Sequence, residues 1–301
     1  MQTIKIIIRI LLYVSIVFIV YYLYKFDYLI FREISVNVFF ATASVLILWL
    51  GFFVSTLSWR KALKVHGVQI SVPQAVYSHG ISVFAKYIPG KIWVILGRAS
   101  IVSENGFSLS FTSTISLKEQ LVYLLLGLLI SLLVLPFVPV HILFTIMVLF
   151  TAIGLYLFLF VKSIHLYILS TLFKLVRKKF EVPFITVKDA VPFAKWILVY
   201  WSIWSIAFYL LTKSVIPETS VFAAFAFPVS VCYGLLAVIV PGGVGVREGI
   251  LILVLSSLGI APAQAVTLSI IQRLWFITGE IFIFVLALVF KGEAGKNIEL
   301  V

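Results

Sequence analysis

The sequence is short of charged residues and nearly free of cysteine. Only 11% of its 301 residues are Asp, Glu, Lys or Arg, and Cys232 is its single cysteine. One cysteine excludes an internal disulfide framework and any metal site built from several cysteines. The four histidines, at His66, His79, His141 and His165, are too scattered to form a ligand set. We therefore expect no metal and no other cofactor.

Long apolar runs stand where charge is missing. The chain is 63% hydrophobic with a mean hydropathy of +1.20, more than a soluble core of this size can bury. This composition predicts an all-α polytopic membrane protein. A membrane-spanning helix needs about 20 apolar residues. Such runs lie at about 4–24, 36–58, 108–135, 142–161, 191–212 and 265–290, with two interrupted stretches at about 74–103 and 220–258. About six to eight transmembrane helices are expected.

The net charge of +12 predicts the orientation of these spans. Lys and Arg follow the second, fourth and last spans, whereas the connection 213–219 is nearly balanced. Because positively charged loops stay in the cytoplasm, both termini are predicted to be cytoplasmic, in the cell membrane. The basic stretch 162–190 is interpreted as a cytoplasmic linker. Apolar residues at helical spacing within it predict an amphipathic helix on the inner leaflet, and an ordinary positive loop is the alternative.

Two Pro-Gly breaks occupy matching places in the two halves of the chain. Three matches share an offset of 152 or 153 residues: Ile88-Pro89-Gly90 with Val240-Pro241-Gly242, Trp49 with Trp201, and SLKEQL (116–121) with SIIQRL (269–274). They indicate a duplicated unit of span, broken segment and span at about 36–135 and 191–290, inside one membrane domain, 1–301. With opposite orientations the units form an inverted repeat whose re-entrant segments mark a transporter's binding site. In an alternative topology, 220–258 crosses the membrane twice.

Charged residues collect around these breaks. Six cations and three carboxylates lie within or beside the apolar segments: Lys86, Lys91, Arg98, Lys118, Arg247 and Arg273, with Glu119, Glu248 and Glu280. Three cations thus lack a carboxylate, and each charge at mid-membrane costs about 2.5–3.5 kcal/mol. The three lysines are expected at the interface, where their chains reach the headgroups. The phenylalanines and tryptophans are interpreted as lipid-facing or interfacial anchors.

The three arginines predict a site for the phosphate of a lipid headgroup. Arginine offers a planar fork that suits phosphate, and a helix resuming after the second break directs free N–H groups toward an anion. The residues expected to form the site are Arg98, Arg247, Arg273, Glu248, Glu119, Gly242, Gly243, Gly245, Pro89, Gly90 and Lys91. Glu119 and Glu248 would orient the arginines or bind an amine on the headgroup. Alternatively, Arg247 and Arg273 pair with carboxylates to hold helices together, and Glu119 and Glu280 carry protons for coupled transport.

These motifs resemble the lysylphosphatidylglycerol synthase transmembrane family. The likeness lies in KYIPGKIW (Lys86 to Trp93) with Arg98, in SLKEQL, in PGGVGVREG (Pro241 to Gly249) and in QRLWFITGE (Gln272 to Glu280). Arg247, Glu248 and Arg273 match the family pattern, so their roles can be carried over. The first half departs from it, with Glu119-Gln120 where the family usually has Glu-Arg and with Tyr123 in place of an acidic residue.

The resemblance implies lipid translocation without synthesis. In large members the membrane half is understood to flip aminoacylated phosphatidylglycerol that a soluble domain makes, and this chain is expected to lack that domain. Other members look linked to polyprenyl-phosphate sugar pathways. The expected function is a non-enzymatic translocase for an anionic or aminoacylated phospholipid or a polyprenyl-phosphate-linked lipid, with membrane lipids and no nucleic acid as partners. The alternatives are a non-catalytic membrane partner of a separate glycosyltransferase or lipid synthase, and an intramembrane transferase acting on polyprenyl phosphate.

Overall fold

The computed structural model describes residues 35–88, 92–104, 106–176, 184–237, 240, 243 and 245–294. These residues form eleven α-helices and no strand, which confirms the predicted all-α fold. The first four are α1 (Val38–Val65), α2 (Val72–Ser82), α3 (Ile92–Ser103) and α4 (Leu109–Val134). The next two are α5 (Ile142–Phe160) and α6 (Lys162–Val176). The last five are α7 (Val187–Val215), α8 (Ala226–Leu236), α9 (Val246–Ser257), α10 (Pro262–Val289) and the short α11 (Lys291–Ala294). Short 3-10 turns cover Val83–Tyr87, Leu135–Phe137 and Val221–Phe225.

Five helices among the described residues are long and apolar enough to cross a membrane. They are Val38–Val65, Leu109–Phe137, Ile142–Phe160, Val187–Val215 and Pro262–Val289. Each overlaps one of the predicted spans, and the protein is therefore a multi-pass membrane protein. The remaining predicted span, 4–24, lies outside the described residues.

Polar caps at the helix ends explain where the elements begin. The side chain of Asn37 accepts from the N–H of Phe40 at the start of α1, and Ser108 accepts from Phe111 at the start of α4. Ser71 and Gln74 form a reciprocal capping box at the start of α2. These side chains satisfy backbone N–H groups that have no partner inside the helix.

Helices α1–α4 and α7–α10 follow the same order: long, short, break, short, long. The first members of the two sets, α1 and α7, pack antiparallel. Asn37 N–H donates to Ser214 O at 2.8 Å, and Ser44 Oγ donates to Ala207 O at 2.7 Å. Since residue numbers rise along one helix as they fall along the other, these two equivalent helices run in opposite directions, as an inverted repeat requires.

The two tryptophans matched in the sequence occupy equivalent places in the structure. Trp49 Nε1 donates to Thr278 Oγ1 at 3.3 Å, and Trp201 Nε1 donates to Tyr123 O at 3.1 Å. Each tryptophan belongs to the first span of its own half and bonds to the last span of the other. The halves therefore interlock about a pseudo-two-fold axis instead of standing side by side.

The broken segments are too short to cross the bilayer on each side of their breaks. Helices α3 and α9 have 12 residues each, about 18 Å at 1.5 Å per residue, against a hydrocarbon core of about 30 Å. The apolar stretch Val221–Leu236 is also shorter than a span. Helix length thus favours two re-entrant segments over two additional crossings of 220–258.

Four of the seven tryptophans are buried, and for these the interpretation as lipid-facing or interfacial anchors is wrong, whereas Trp196 is 37% exposed. Trp59 and Trp201 are fully buried, and Trp204 and Trp275 are 5% and 4% exposed. Trp204 packs against Phe52 and Phe276, with ring centroids 5.1 and 5.5 Å apart, where the two halves meet. Aromatic rings therefore build the centre of the protein and the wall of its cavity.

Helix α6 covers part of the predicted linker 162–190. Leu169 is buried, whereas Leu166 and Tyr167 are 54% and 73% exposed. The helix packs against α5, and its amphipathic character is visible in this alternation of buried and exposed residues. The basic cluster 177–179 lies outside the described residues.

Candidate functional site

A cavity of about 380 Å³ lies between the two halves, beside both breaks. Its lining includes Ile92 at the start of α3, Leu236 at the end of α8, and Arg247 in the first turn of α9. The charged lining residues are Lys86, Arg98, Glu119, Arg247 and Arg273. The structure therefore brings four of the predicted site residues, Arg98, Glu119, Arg247 and Arg273, to one cavity.

Arg98 is almost fully enclosed by partners from its own half. Its Nε donates to Ser116 Oγ at 2.6 Å, and its Nη2 donates to Ser116 O at 2.8 Å and to Glu119 Oε2 at 2.7 Å. The guanidinium also lies 4.4 Å from the ring centroid of Trp59. These bonds hold α3 against α4, and they occupy the donors that the prediction assigned to phosphate.

Lys86 lies at the cavity and not at the membrane interface where it was expected. Its Nζ forms an ion pair with Glu280, which is fully buried. Tyr87 OH donates to the second oxygen of Glu280 at 2.9 Å. Lys86 and Tyr87 were missed as site residues, although both stand in the KYIPGKIW motif directly before the first break.

Glu248 connects the second break to α10. Its Oε2 accepts from the N–H of Gly245 at 2.7 Å, and its Oε1 lies 3.6 Å from Arg273 Nε. This arrangement orients Arg273, as one of the two roles predicted for Glu248 requires. It also places Arg247 at the start of a helix facing the cavity.

The glycines of the second break are required by the backbone conformation and by close packing. Gly243 and Gly245 have positive φ values of 72° and 76°, which favour glycine. Gly243 also contacts the backbone of Gly234, leaving no room for a Cβ. The N–H of Gly243 donates to Val240 O, and that of Gly245 donates to Glu248, so these two amides are not the free anion donors that were expected.

Four further predicted site residues, Pro89, Gly90, Lys91 and Gly242, lie outside the described residues.

Arg247 has no carboxylate within ion-pair distance among the described residues. It is 6% exposed, and its Nε and Nη2 are buried without a hydrogen-bond partner within the described part of the chain. Its guanidinium lies 4.7 Å from the ring centroid of Phe276 and 5.4 Å from that of Phe227. Leaving a buried charge without its partner costs about 3–5 kcal/mol, so Arg247 creates a strong local demand for an anion.

The cavity reaches the protein surface through apolar residues. Ile92 and Leu236, one from each broken segment, are 52% and 38% exposed and also line the cavity. Its interior thus combines a cationic region with an opening suited to hydrocarbon.

Lys118, another lysine expected at the interface, is 7% exposed and lies outside this cavity lining. Its Nζ is 3.2 Å from Nε2 of His66, whose Nδ1 donates to Ala62 O. Burial is the main cause that lowers the pKa of His66 from its ordinary value of 6.5, and the neighbouring Lys118 lowers it further. The neutral ring accepts from the lysine.

Comparison with known proteins gives one match. The family model described as the lysylphosphatidylglycerol synthase TM region matches residues 6–286, nearly the whole chain and all of the charged cavity lining. No curated protein and no solved structure matches the chain.

Proposed function

The chain belongs to the lysylphosphatidylglycerol synthase transmembrane family, and on that basis we propose that it moves a lipid with an anionic, phosphate-bearing headgroup between the two leaflets of the cell membrane. Family membership gives the protein a function related to membrane lipids. The cavity supports the more specific assignment.

The observation that carries this proposal is the unpaired guanidinium of Arg247. Its buried Nε and Nη2 need acceptors, and a phosphate presents several oxygens in the geometry that a guanidinium prefers. Arg273 lines the same cavity and adds a second positive charge. Arg98, held by Ser116 and Glu119, contributes to the positive field while fixing the wall.

The shape of the site supports a lipid over a free anion. A volume of about 380 Å³ suits a headgroup-sized molecule and not a whole lipid. The exposed side chains of Ile92 and Leu236 form an apolar rim along which acyl chains remain in the bilayer. The headgroup enters the cavity, while the acyl chains of the same lipid stay in the surrounding bilayer.

The inverted repeat supports movement across the membrane. Both halves contribute to the cavity, Arg98 and Glu119 from one and Arg247 and Arg273 from the other. Rocking of one half against the other exposes a site at such an interface to each side in turn. The basic stretches after the second, fourth and last spans orient both termini toward the cytoplasm.

We propose transport without covalent chemistry. A transferase acting on polyprenyl phosphate needs a free carboxylate as base or metal ligand beside the phosphate. Among the described residues, both oxygens of Glu119 accept hydrogen bonds, from Ser58 and Arg98. Glu248 accepts from Gly245 through Oε2 and lies 3.6 Å from Arg273, and it is not part of the cavity lining. The only carboxylate that lines this cavity among the described residues is thus fully hydrogen-bonded, which favours translocation over catalysis.

The test is transport of tail-labelled phospholipids in proteoliposomes, followed by chemical quenching of label in the outer leaflet. Arg247→Gln is expected to slow transport of phosphatidic acid about 10- to 100-fold, because the variant loses a charged hydrogen-bonding group. Thermal stability should stay equal or rise, because the substitution removes a buried charge without a counter-ion. The matched control is Lys195→Gln, which removes an exposed positive charge on α7 and should leave the rate unchanged. Wild-type protein that accelerates no phosphate-bearing lipid would overturn the proposal.

A further inference from the structure

One wall of the cavity is uncharged, aromatic and rich in hydrogen-bonding groups. Gln120 and Tyr123 come from α4, and Tyr200 comes from α7. The rings of Tyr123 and Tyr200 are stacked, with centroids 5.8 Å apart, and the residues are 8% and 2% exposed. Across the described part of the chain, no hydrogen bond engages either tyrosine hydroxyl or the Gln120 amide.

Hydroxyls and a carboxamide each donate and accept. Neutral hydroxyl groups of a ligand match such a wall, because each can exchange both a donated and an accepted bond with it. This wall therefore has the chemistry of a site for a hydroxylated, uncharged group.

The same region is poorly suited to an ammonium group. Each carboxylate near the cavity already has a cation: Glu119 has Arg98, Glu280 has Lys86, and Glu248 has Arg273. An amine entering the cavity would lose its water and meet Arg98, Lys86 and Arg247 without a free counter-charge. Desolvation and like charge both disfavour its charged form.

We propose that the headgroup carries a neutral polyol beyond its phosphate, such as glycerol, inositol or a sugar, held by Gln120, Tyr123 and Tyr200. This assignment rests on the proposed function and refines it. Arg247 binds the phosphate, and the uncharged wall selects what is attached to it. The resemblance of the sequence left aminoacylated lipids open, whereas the occupied carboxylates disfavour them as substrates.

The experiment compares three tail-labelled lipids in the same proteoliposomes. Phosphatidic acid carries only the phosphate, phosphatidylglycerol adds a polyol, and phosphatidylethanolamine adds an ammonium group. Wild-type protein should move phosphatidylglycerol about 10-fold faster than phosphatidylethanolamine, since unmatched polar groups are rejected at a hydrogen-bonding site. An equal or greater rate for phosphatidylethanolamine would overturn the proposal while leaving phosphate-lipid transport intact.

Two variants test the wall itself. Tyr123→Phe with Tyr200→Phe removes two hydroxyls and keeps the rings, so the rate ratio of phosphatidylglycerol to phosphatidic acid should fall about 3- to 10-fold. Gln120→Glu supplies a free carboxylate and should raise the rate ratio of phosphatidylethanolamine to phosphatidylglycerol by a similar factor. If either ratio stays at its wild-type value, these residues do not select the headgroup. If no lipid moves at all, the proposed function itself has failed.

Discussion

The ion pair between Lys86 and Glu280 provides the sharpest test of how the cavity is built. Glu280 is fully buried and accepts from both Lys86 and Tyr87, whereas the side chain of Lys86 is 23% exposed. Replacing Glu280 by Gln keeps the size of the side chain and removes its charge. Lys86 then remains next to the cationic region of the cavity with no carboxylate partner among the described residues.

The structure sets the size of the effect. Loss of one partner from a buried pair costs about 3–5 kcal/mol, and access of Lys86 to the cavity reduces this to about 2–4 kcal/mol. Lys86→Met removes the cation instead and leaves Glu280 buried with Tyr87 as its remaining donor, a cost of the same order. The double variant lacks both charges and should lie within about 1 kcal/mol of wild type, giving a coupling energy of at least about 3 kcal/mol.

The single cysteine supplies the assay. Cys232 is fully buried, so a thiol-reactive dye labels it only when the surrounding helices open. Thermal unfolding of detergent-solubilised protein can thus be followed without adding a label site. Both single variants should unfold at lower temperature, and the double variant should recover most of the loss. Strictly additive single effects would show that the two side chains do not interact and would refute this account of the cavity wall.

Two more predictions concern backbone and pH. Gly243→Ala should sharply lower the yield of folded protein, because Gly243 has a φ of 72° and contacts the Gly234 backbone. Size-exclusion chromatography measures this yield, and full recovery of folded protein would contradict the prediction. Burial keeps the folded-state pKa of His66 below 6.5, so the folded protein binds fewer protons than the unfolded chain. Thermal stability should therefore fall as pH drops below about 6.5, and His66→Gln should reduce that fall; an unchanged pH profile would exclude His66 as a contributor.

The spans could be predicted from sequence because lipid imposes a single local rule. A crossing segment must satisfy its backbone internally and present about 20 apolar residues, so hydropathy alone located the five described spans. The ends were less well predicted. Helix α1 continues to Val65, beyond the predicted limit at 58, because Trp59, Ala62 and Leu63 are buried against the protein. Protein packing extended a helix that lipid thickness alone would have ended.

The partners of the charged residues could not be predicted in this way. Arg98 and Glu119 are 21 residues apart on different helices, and Lys86 and Glu280 are 194 apart. Their pairing depends on how two interlocked halves pack, for which local periodicity carries no signal. The matched tryptophans did carry such a signal, since Trp49 and Trp201 mark equivalent contacts across the interface.

The two halves share a helix order but not a charge pattern, and this asymmetry is the basis for the proposed anion site. Counting charges in the sequence showed more cations than carboxylates without saying which cation was left over. In the structure the three carboxylates are taken by Arg98, Lys86 and Arg273. Three cations remain. Lys91 lies outside the described residues and Lys118 contacts His66, whereas Arg247 lines the cavity just after the glycine break of the second half. A repeat that evolved only to stabilise the bundle would have no reason to bury this guanidinium beside a cavity without a counter-ion. Under the proposed function, the phosphate of the transported lipid supplies that counter-ion.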